Sequence, residues 1–223
     1  MEGNKIKVII ADDHKLFRKG IIALLSDFDF IGEIDEASNG AELLENLAKT
    51  NLLPDVILLD LRMPVMDGVE AQQKIRKLYP DIKVIILTME DDEQYILHLI
   101  SEGVNGYLLK NADPDEMEKA IQKVMEHGFY FSDDISALVL QHLKKKEKTE
   151  EIFNPDFKEK ELQVLEMICK EYSNGEIAEA LNISIRTAEG YKLKLIEKSG
   201  AKSIAGLVIL VIIFIYFQSR KKN

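Results

Sequence analysis

Short apolar runs alternate with amphipathic stretches along the first half of the chain. Five runs of four to seven residues carry β-branched or aromatic side chains, which predicts strands. The predicted strands are Ile6–Ile10, Ile31–Ala37, Val56–Leu59, Val84–Leu87 and Gly106–Leu109. Between them, apolar residues recur at spacings of three and four, which predicts helices. These helices are Leu16–Leu25, Ala41–Lys49, Val69–Leu78, Gln94–Ile100 and Asp115–Met125. The alternation predicts an α/β fold with a five-stranded, doubly wound parallel sheet.

Helical patterns alone fill the last third of the chain. The segment 144–151 is highly charged and has no apolar face, so we assign residues 127–150 to a linker. The predicted helices beyond it are Lys158–Lys170, Asn174–Leu181, Ile185–Lys198 and Lys202–Tyr216. They predict a small all-α domain of four helices over residues 151–217, after a first domain over residues 5–126.

Length and composition agree with two ordinary globular domains. The chain has 223 residues, of which 46% are apolar and 30% charged, and this excludes disordered and collagen-like proteins. Its one cysteine, Cys169, cannot form an intrachain disulfide, and the N-terminus lacks the long apolar core of a signal peptide. We therefore expect a cytoplasmic protein.

Charge divides the chain into two unlike parts. Residues 1–140 carry 14 basic and 27 acidic side chains, a net charge of −13, whereas residues 141–223 carry 15 and 12, a net charge of +3. An acidic protein as a whole argues against nucleic acid as a partner, but a basic C-terminal segment allows it.

Three aspartates follow the first and third predicted strands. Ligands of a doubly wound sheet bind at the carboxyl ends of its strands, where Asp12, Asp13 and Asp60 would meet. Three close carboxylates repel one another and require a cation, and oxygen ligands favour Mg²⁺. Thr88 and Lys110 end the next two strands at the same edge, where a lysine can bind phosphate. Helix capping explains a single aspartate here, but not the whole set.

Four short motifs lie at these strand ends. They are Ile10–His14, Asp60–Gly68, Leu87–Thr88 and Gly106–Lys110. Together they resemble the receiver domain of two-component response regulators, and the nine residues from Asp60 are the most specific part. The resemblance implies that Asp60 accepts a phosphoryl group from a sensor histidine kinase. It also implies that the protein is not an enzyme beyond its own phosphorylation and slow dephosphorylation.

The same resemblance implies roles for the neighbouring residues. Thr88 and Lys110 would contact the phosphoryl oxygens, and Tyr107 would reorient together with Thr88 as the switch. The implied ligands of Mg²⁺ are Asp12, Asp13, Asp60 and the main-chain carbonyl of Arg62.

A helix-turn-helix pattern is readable in the second half. Ile177 and Leu181 give one short helix an apolar face, the turn 182–184 follows, and Ala188 and Leu195 give a face to the next helix. Residues 184–203 carry five basic and two acidic side chains, a local charge of +3 that suits phosphates. On charge alone, a solvated helix face is the alternative.

Further motifs extend this pattern to about 60 residues. They are Lys160–Leu165, Ser173–Ala178, Leu181–Ser184 and Arg186–Tyr191, and they resemble the DNA-binding domain of the NarL/LuxR type. The resemblance implies that Ile185–Lys198 is a recognition helix in the major groove and that the last helix is a dimer contact. The implied backbone contacts are Arg186, Thr187, Lys192 and Lys194. The positions that would meet base edges are Glu189, Gly190 and Leu193. Of these, only Glu189 has a side chain that could accept a hydrogen bond from a base.

Residues 204–217 are fourteen uncharged residues before a basic end. Fourteen residues make about 21 Å of helix against a hydrocarbon core of about 30 Å, so we do not expect them to span a membrane. We predict a dimerising or core helix, with a membrane-associated tail as the alternative.

Together these observations predict a phosphorylation-activated transcription regulator. Its expected partners are a sensor histidine kinase, double-stranded DNA, a second copy of the chain when phosphorylated, and RNA polymerase. Two other classes stay open. The first is a Mg²⁺-dependent phosphohydrolase, which would turn over a phosphate ester, and the second is a protein-interaction module, which would show no salt-dependent binding to DNA.

Overall fold

Strands and helices alternate through the first part of the structure, and helices alone follow. The computed structural model describes residues 5–89, 93–132, 135, 157–170, 172–204 and 206–208. The alternating part comprises β1 (Ile6–Ala11), α1 (Lys15–Ser26), β2 (Ile31–Ala37), α2 (Gly40–Lys49), β3 (Val56–Leu59), α3 (Gly68–Leu78), β4 (Lys83–Thr88), α4 (Glu93–Ser101), β5 (Gly106–Leu109), α5 (Pro114–His127) and β6 (Tyr130–Phe131). The helical part comprises α6 (Glu159–Cys169), α7 (Asn174–Ala180) and α8 (Ile185–Ser199). The predicted fold class is confirmed.

The sheet has six parallel strands, and the prediction of five was wrong by one. The strand order is β2-β1-β3-β4-β5-β6, and β6 pairs with β5 through Tyr130 opposite Gly106. Gly128 ends α5 in the left-handed conformation, at a φ of 91°, which lets the chain turn back along the sheet edge. The two-residue β6 lies inside residues 127–150, the predicted linker, and is too short to give a periodic signal.

Alternate residues of the central strands enter two separate cores. Ile9 and Ile57 lie on one face of the sheet, in a cluster with buried residues of α2, α3 and α4. Val8 and Leu58 lie on the other face, in a cluster with buried residues of α1 and α5. Strands buried on both faces explain why the sequence shows continuous apolar runs and not an apolar-polar alternation.

The strand order reverses between β1 and β3. The chain leaves β1 toward β2 on one side and returns on the other side as β3. This reversal opens a crevice at the carboxyl ends of the strands, where doubly wound folds bind ligands. Asp12 follows β1, Asp60 follows β3, Thr88 ends β4 and Lys110 follows β5, so the predicted residues border this crevice.

The helical part has its own core. Val164, Ile177 and Leu195, from α6, α7 and α8, are fully buried in one cluster. Ser173 and Ser184 cap α7 and α8, because each side chain accepts a hydrogen bond from the backbone N–H three residues on. Residues 204 and 206–208 are also helical, and the remainder of the predicted fourth helix lies outside the described residues. Within the described residues, no helix is long and apolar enough to cross a membrane.

The two parts touch at the edge of the sheet opposite the crevice. The Lys202 ammonium donates to Oε1 of Glu102 at 2.8 Å. Next to this ion pair, Gly103 and Gly128 approach Lys202 and Ile204. A cavity of roughly 670 Å³ remains between the two parts, bordered by the start of β4, the end of α5 and one face of α8.

Gly68 allows a close approach between α3 and the loop after β3. Its N–H donates to the carbonyl oxygen of Leu61 at 3.0 Å. A Cβ at this position would lie 2.1 Å from the carbonyl oxygen of Asp60, which belongs to the backbone and cannot rotate away. The absence of a side chain at Gly68 is therefore needed to place Asp60.

We expect Gly68→Ala to displace the loop of Asp60 and to lower the free energy of unfolding by about 1–3 kcal/mol, as overpacking does. Gly20→Ala is the matched control, because a Cβ at this α1 position meets nothing within 4 Å. It should stabilise the protein by about 0.5–1 kcal/mol. Urea denaturation of both variants measures the difference, and equal stability of the two would contradict this account.

Candidate functional site

Two buried carboxylates share one ammonium at the carboxyl edge of the sheet. Nζ of Lys110 lies 2.7 Å from Oδ2 of Asp12 and 2.8 Å from Oδ2 of Asp60. The two aspartates are only 1% and 3% exposed. Such charges are stable in a protein interior only when they are paired. The structure thus brings together three of the residues predicted from the sequence.

Backbone hydrogen bonds between neighbouring strands fix these positions. The N–H of Asp60 donates to the carbonyl of Ala11 at 2.8 Å, and the N–H of Lys110 donates to the carbonyl of Thr88 at 2.8 Å. Because the strands are parallel and in register, their carboxyl ends stop at the same height. The sheet, and not a flexible loop, therefore sets the spacing of the charged groups.

Burial and pairing act in opposite directions on this cluster. Burial raises the pKa of Asp60 above its ordinary value, although the contact with Lys110 opposes the shift. Burial would lower the pKa of Lys110, but its contacts with Asp12 and Asp60 outweigh this effect and raise that pKa. With ionised aspartates the three groups carry one net negative charge, so the site still attracts a cation.

Asp13 and His14 complete the acidic side of the site. Nδ1 of His14 lies 2.8 Å from Oδ1 of Asp13 and 3.3 Å from Oδ1 of Asp12. One ligand atom from each of Asp12, Asp13, His14 and Asp60 can be chosen so that all lie within 4.8 Å of one another. Three carboxylates this close fit a hard divalent cation such as Mg²⁺.

A small cavity opens beside Asp60. Its volume is roughly 210 Å³, and Arg62, Thr88 and Lys110 are among its lining residues. Thr88 is buried at the end of β4. Tyr107 lies in the next strand and is buried in the core cluster of α2, α3 and α4. The predicted acceptor, the hydroxyl and the lysine therefore face one space.

Sequence reasoning missed three contributors to this site. The guanidinium of Arg18 donates to the main-chain oxygen of Asp12 at 2.5 Å, and the ammonium of Lys110 lies 4.9 Å from the ring centre of Phe17. The third is the side chain of His14, which lies in the first of the receiver-like motifs and for which the sequence predicts no role. All three residues lie at or near the start of α1. Only the packing of that helix shows that their side chains point toward the site.

The predicted DNA-contact residues are spread over different faces of α8. Arg186, Thr187 and Lys194 are exposed. Gly190 borders open space, because a Cβ there would meet nothing within 4 Å. Ala188 and Leu195 enter the core of the helical part, as predicted from their spacing. A basic, solvent-facing side of the helix is thus present.

Another face of α8 borders the cavity between the two domains. Glu189, Lys192 and Leu193 line the cavity of 670 Å³ together with Lys83 of β4. Lys192 is only 8% exposed. Burial lowers its pKa to about 8; nearby Glu189 opposes this shift and Lys83 adds to it. In this arrangement, Lys192 is not available to DNA phosphates.

Comparison with protein families gives two matches. Residues 8–122 match the response regulator receiver domain, and residues 157–211 match the luxR family of bacterial regulatory proteins. Each match contains one of the two sites described above.

Whole proteins and solved structures give the same result. The chain is 35% identical to the transcriptional regulatory protein DegU of Brevibacillus brevis, over 87% of this chain and 88% of that protein. It is also 35% identical to the oxygen regulatory protein NreC of Staphylococcus carnosus, over 91% and 95%. A structure of RcsB dimers bound to DNA superposes with a TM-score of 0.56 at 27% identity, covering 93% of this chain and 98% of that chain.

The order of the two matched domains agrees with the order of the two sites, and the relatives align over nearly their whole length. This chain therefore belongs to the NarL/FixJ family of two-component response regulators, in which a receiver domain precedes a LuxR-type helix-turn-helix domain.

Proposed function

We propose that Asp60 is the acceptor of a phosphoryl group from a sensor histidine kinase, and that this modification activates the C-terminal domain to bind promoter DNA. The observation that carries the first part is the buried pairing of Asp12 and Asp60 with Lys110 beside the cavity of Thr88. A carboxylate at the base of a small cavity, with a cation on one side, is suited to attack phosphorus.

Both carboxylate oxygens of Asp60 have hydrogen-bond donors before the transfer. Oδ1 of Asp60 accepts from the N–H of Leu61 at 2.8 Å, and Oδ2 accepts from Lys110. One carboxylate oxygen forms the new P–O bond as the P–N bond to the kinase histidine breaks, and the histidine nitrogen keeps the bonding electrons and later takes a proton. Lys110 and the hydroxyl of Thr88 then stabilise the charge on the phosphoryl oxygens.

Asp12, Asp13, Asp60 and the main-chain carbonyl of Arg62 would hold Mg²⁺. When bound, this ion neutralises the carboxylates and the phosphoryl oxygens as they approach one another. The close grouping of the carboxylates in the structure supports this assignment.

Thr88 and Tyr107 are the proposed switch. Thr88 borders the cavity of Asp60, and Tyr107 is buried one strand away. A phosphoryl group that engages the hydroxyl of Thr88 would draw the end of β4 toward Asp60 and change the packing around the ring of Tyr107. Phosphorylation then acts by shifting the populations of two arrangements.

The DNA-binding role follows from the second domain. We assign backbone contacts to Arg186, Thr187, Lys192 and Lys194, and base-facing positions to Glu189, Gly190 and Leu193. The similarity to RcsB, which was solved bound to DNA, supports this assignment. A phosphohydrolase is not favoured, because relatives aligned over nearly the whole chain are regulators; self-phosphorylation and slow dephosphorylation are the activities that we expect.

We propose that the arrangement of the two domains disfavours DNA binding by α8. Lys192, an assigned backbone contact, is buried beside the cavity that borders the receiver, so the closed arrangement withholds it from DNA. Binding to DNA therefore requires the domains to separate. We propose that the phosphorylated protein opens and forms a homodimer on paired half-sites in the cytoplasm, where RNA polymerase is a further partner.

Asp60→Asn should abolish phosphoryl uptake from acetyl phosphate with Mg²⁺, because an amide is a poor nucleophile. Asp67→Asn is the matched control in the same loop. Asp67 caps α3 by accepting from the N–H of Glu70, and asparagine can do the same. Intact-mass spectrometry should show the phosphoryl adduct on the wild type and on Asp67→Asn only. An adduct of equal yield on Asp60→Asn would refute the assignment.

Lys194→Ala should weaken binding to any DNA duplex, since Lys194 is exposed on the basic side of α8. The slope of log affinity against log salt should become shallower by about one unit. Lys170→Ala is the control, because Lys170 is already paired with Glu166. Fluorescence anisotropy with the acetyl phosphate-treated protein measures both slopes. Identical slopes for the wild type and Lys194→Ala would argue against contact between DNA phosphates and the side of α8 that carries Lys194.

The closed arrangement should become more populated as the pH rises. In the closed structure, burial and nearby Lys83 of the receiver lower the pKa of Lys192 to about 8 from an ordinary value of 10.5, and we propose that opening relieves this shift. Below pH 8 Lys192 is charged in both the open and the closed form. Closure then carries the full free-energy cost of burying its charge. Between pH 8 and 10.5 the closed form loses the proton that the open form keeps, so the free-energy cost of closure decreases as the pH rises.

Small-angle scattering of the unphosphorylated protein measures this change as a smaller radius of gyration at pH 9.5 than at pH 7. Lys192→Met keeps the length of the side chain without its charge and should remove the pH dependence, whereas Lys194→Met should retain it. A radius that does not change with pH in the wild type would contradict the proposed closure.

A further inference from the structure

The imidazole of His14 points toward the carboxylates of the proposed metal site. His14 is the residue before the first turn of α1, where a side chain commonly caps the helix, but its side chain makes no capping hydrogen bond. Nδ1 instead lies 2.8 Å from Oδ1 of Asp13 and 3.3 Å from Oδ1 of Asp12. The backbone N–H of His14 also donates to Asp12 at 2.7 Å, which fixes the residue beside the site.

The carboxylates of the site have two chemically different partners. Asp12 and Asp60 contact the ammonium of Lys110, which cannot bind a metal ion while it is protonated. Asp13 contacts His14, whose ring nitrogen is a metal ligand when it is not protonated. One side of the site therefore offers an oxygen and a nitrogen next to each other.

The distance between Nδ1 of His14 and the neighbouring carboxylate oxygens suits the binding of both to a single ion. Two ligands that are each about 2.1 Å from one ion lie about 3.0 Å apart at a right angle and about 3.4 Å apart at the tetrahedral angle. The contacts of Nδ1 with the two carboxylates, at 2.8 and 3.3 Å, fall near these values. The side chain of His14 is 68% exposed, so an ion can reach it with little loss of protein packing.

We infer that His14 is a further ligand of this site when the ion is of borderline character, such as Mn²⁺, Co²⁺ or Zn²⁺, and that Asp13 and His14 chelate such an ion together. This inference rests on the proposed function, because it concerns the same acidic site. Mg²⁺ prefers oxygen ligands and retains its waters, whereas imidazole suits the later divalent ions. His14 thus makes the site discriminate among metals.

Pulsed electron paramagnetic resonance of Mn²⁺ bound to the full chain tests the contact directly. Nitrogen coordination modulates the electron spin echo, so the wild type should show ¹⁴N coupling. His14→Gln should lose this coupling, whereas His98→Gln, a change in α4, should keep it. Asp13→Asn tests whether the ion occupies the acidic site, since this change should weaken Mn²⁺ binding.

Affinity gives a second readout. His14→Gln should raise the Kd for Co²⁺ by at least about tenfold and should change the Kd for Mg²⁺ much less. Equal urea midpoints for the wild type and His14→Gln establish that the variant is folded.

The outcomes separate this inference from the proposed function. If Mn²⁺ binds and Asp13→Asn weakens it, but ¹⁴N coupling is absent or Co²⁺ and Mg²⁺ are affected equally by His14→Gln, the role of His14 is overturned and the proposed phosphorylation site stands. If the wild type binds neither Mn²⁺ nor Mg²⁺, both proposals fail.

Discussion

The ammonium of Lys110 between Asp12 and Asp60 is the interaction on which the rest of the receiver depends. Three charged groups are buried at the carboxyl ends of β1, β3 and β5, and they are stable there because their spacing is fixed by the parallel register of β1, β3, β4 and β5. Removal of one partner from such a buried group costs about 3–5 kcal/mol, because a charge is left without compensation. The close approach at Gly68 and the hydrogen bond from Arg18 to the main chain of Asp12 help to fix the same spacing of the charged groups. A site of this kind can exchange the contacts of its carboxylates with Lys110 for contacts with another cation.

Much of the fold and of this site could be predicted from the sequence, because both follow from short-range patterns. Apolar runs identify strands buried on both faces, and parallel strands necessarily bring Asp12, Asp60 and Lys110 to one edge. The remainder depends on tertiary packing. Strand β6 has two residues and exists only because β5 offers an open edge. The direction of His14 and the burial of Lys192 are set by how one helix packs and how two domains meet, and neither leaves a periodic signal.

The two functional regions lie at opposite ends of the same strands. Strand β4 begins at Lys83, which borders the cavity with Lys192, and ends at Thr88, which borders the cavity with Asp60. Strand β5 is preceded by Asn105 at one end and followed by Lys110 at the other. This continuity is spatial, and coupling requires that phosphorylation favour one domain arrangement over the other. The exposed pair of Lys202 and Glu102 contributes little to the closed form, since such pairs are worth about 0–1 kcal/mol. This ion pair is therefore a small part of what the proposed opening has to overcome.

The double use of one face of α8 has an evolutionary consequence. Glu189 and Leu193 occupy the positions assigned to base edges, and both also border the receiver. If these positions read bases as proposed, a substitution that retargets the protein to another promoter also alters the surface that borders the receiver. The proposal thus couples target choice to background activity in such a lineage. On this proposal, divergence after gene duplication calls for paired changes, one on α8 and one on the receiver surface that borders the same cavity.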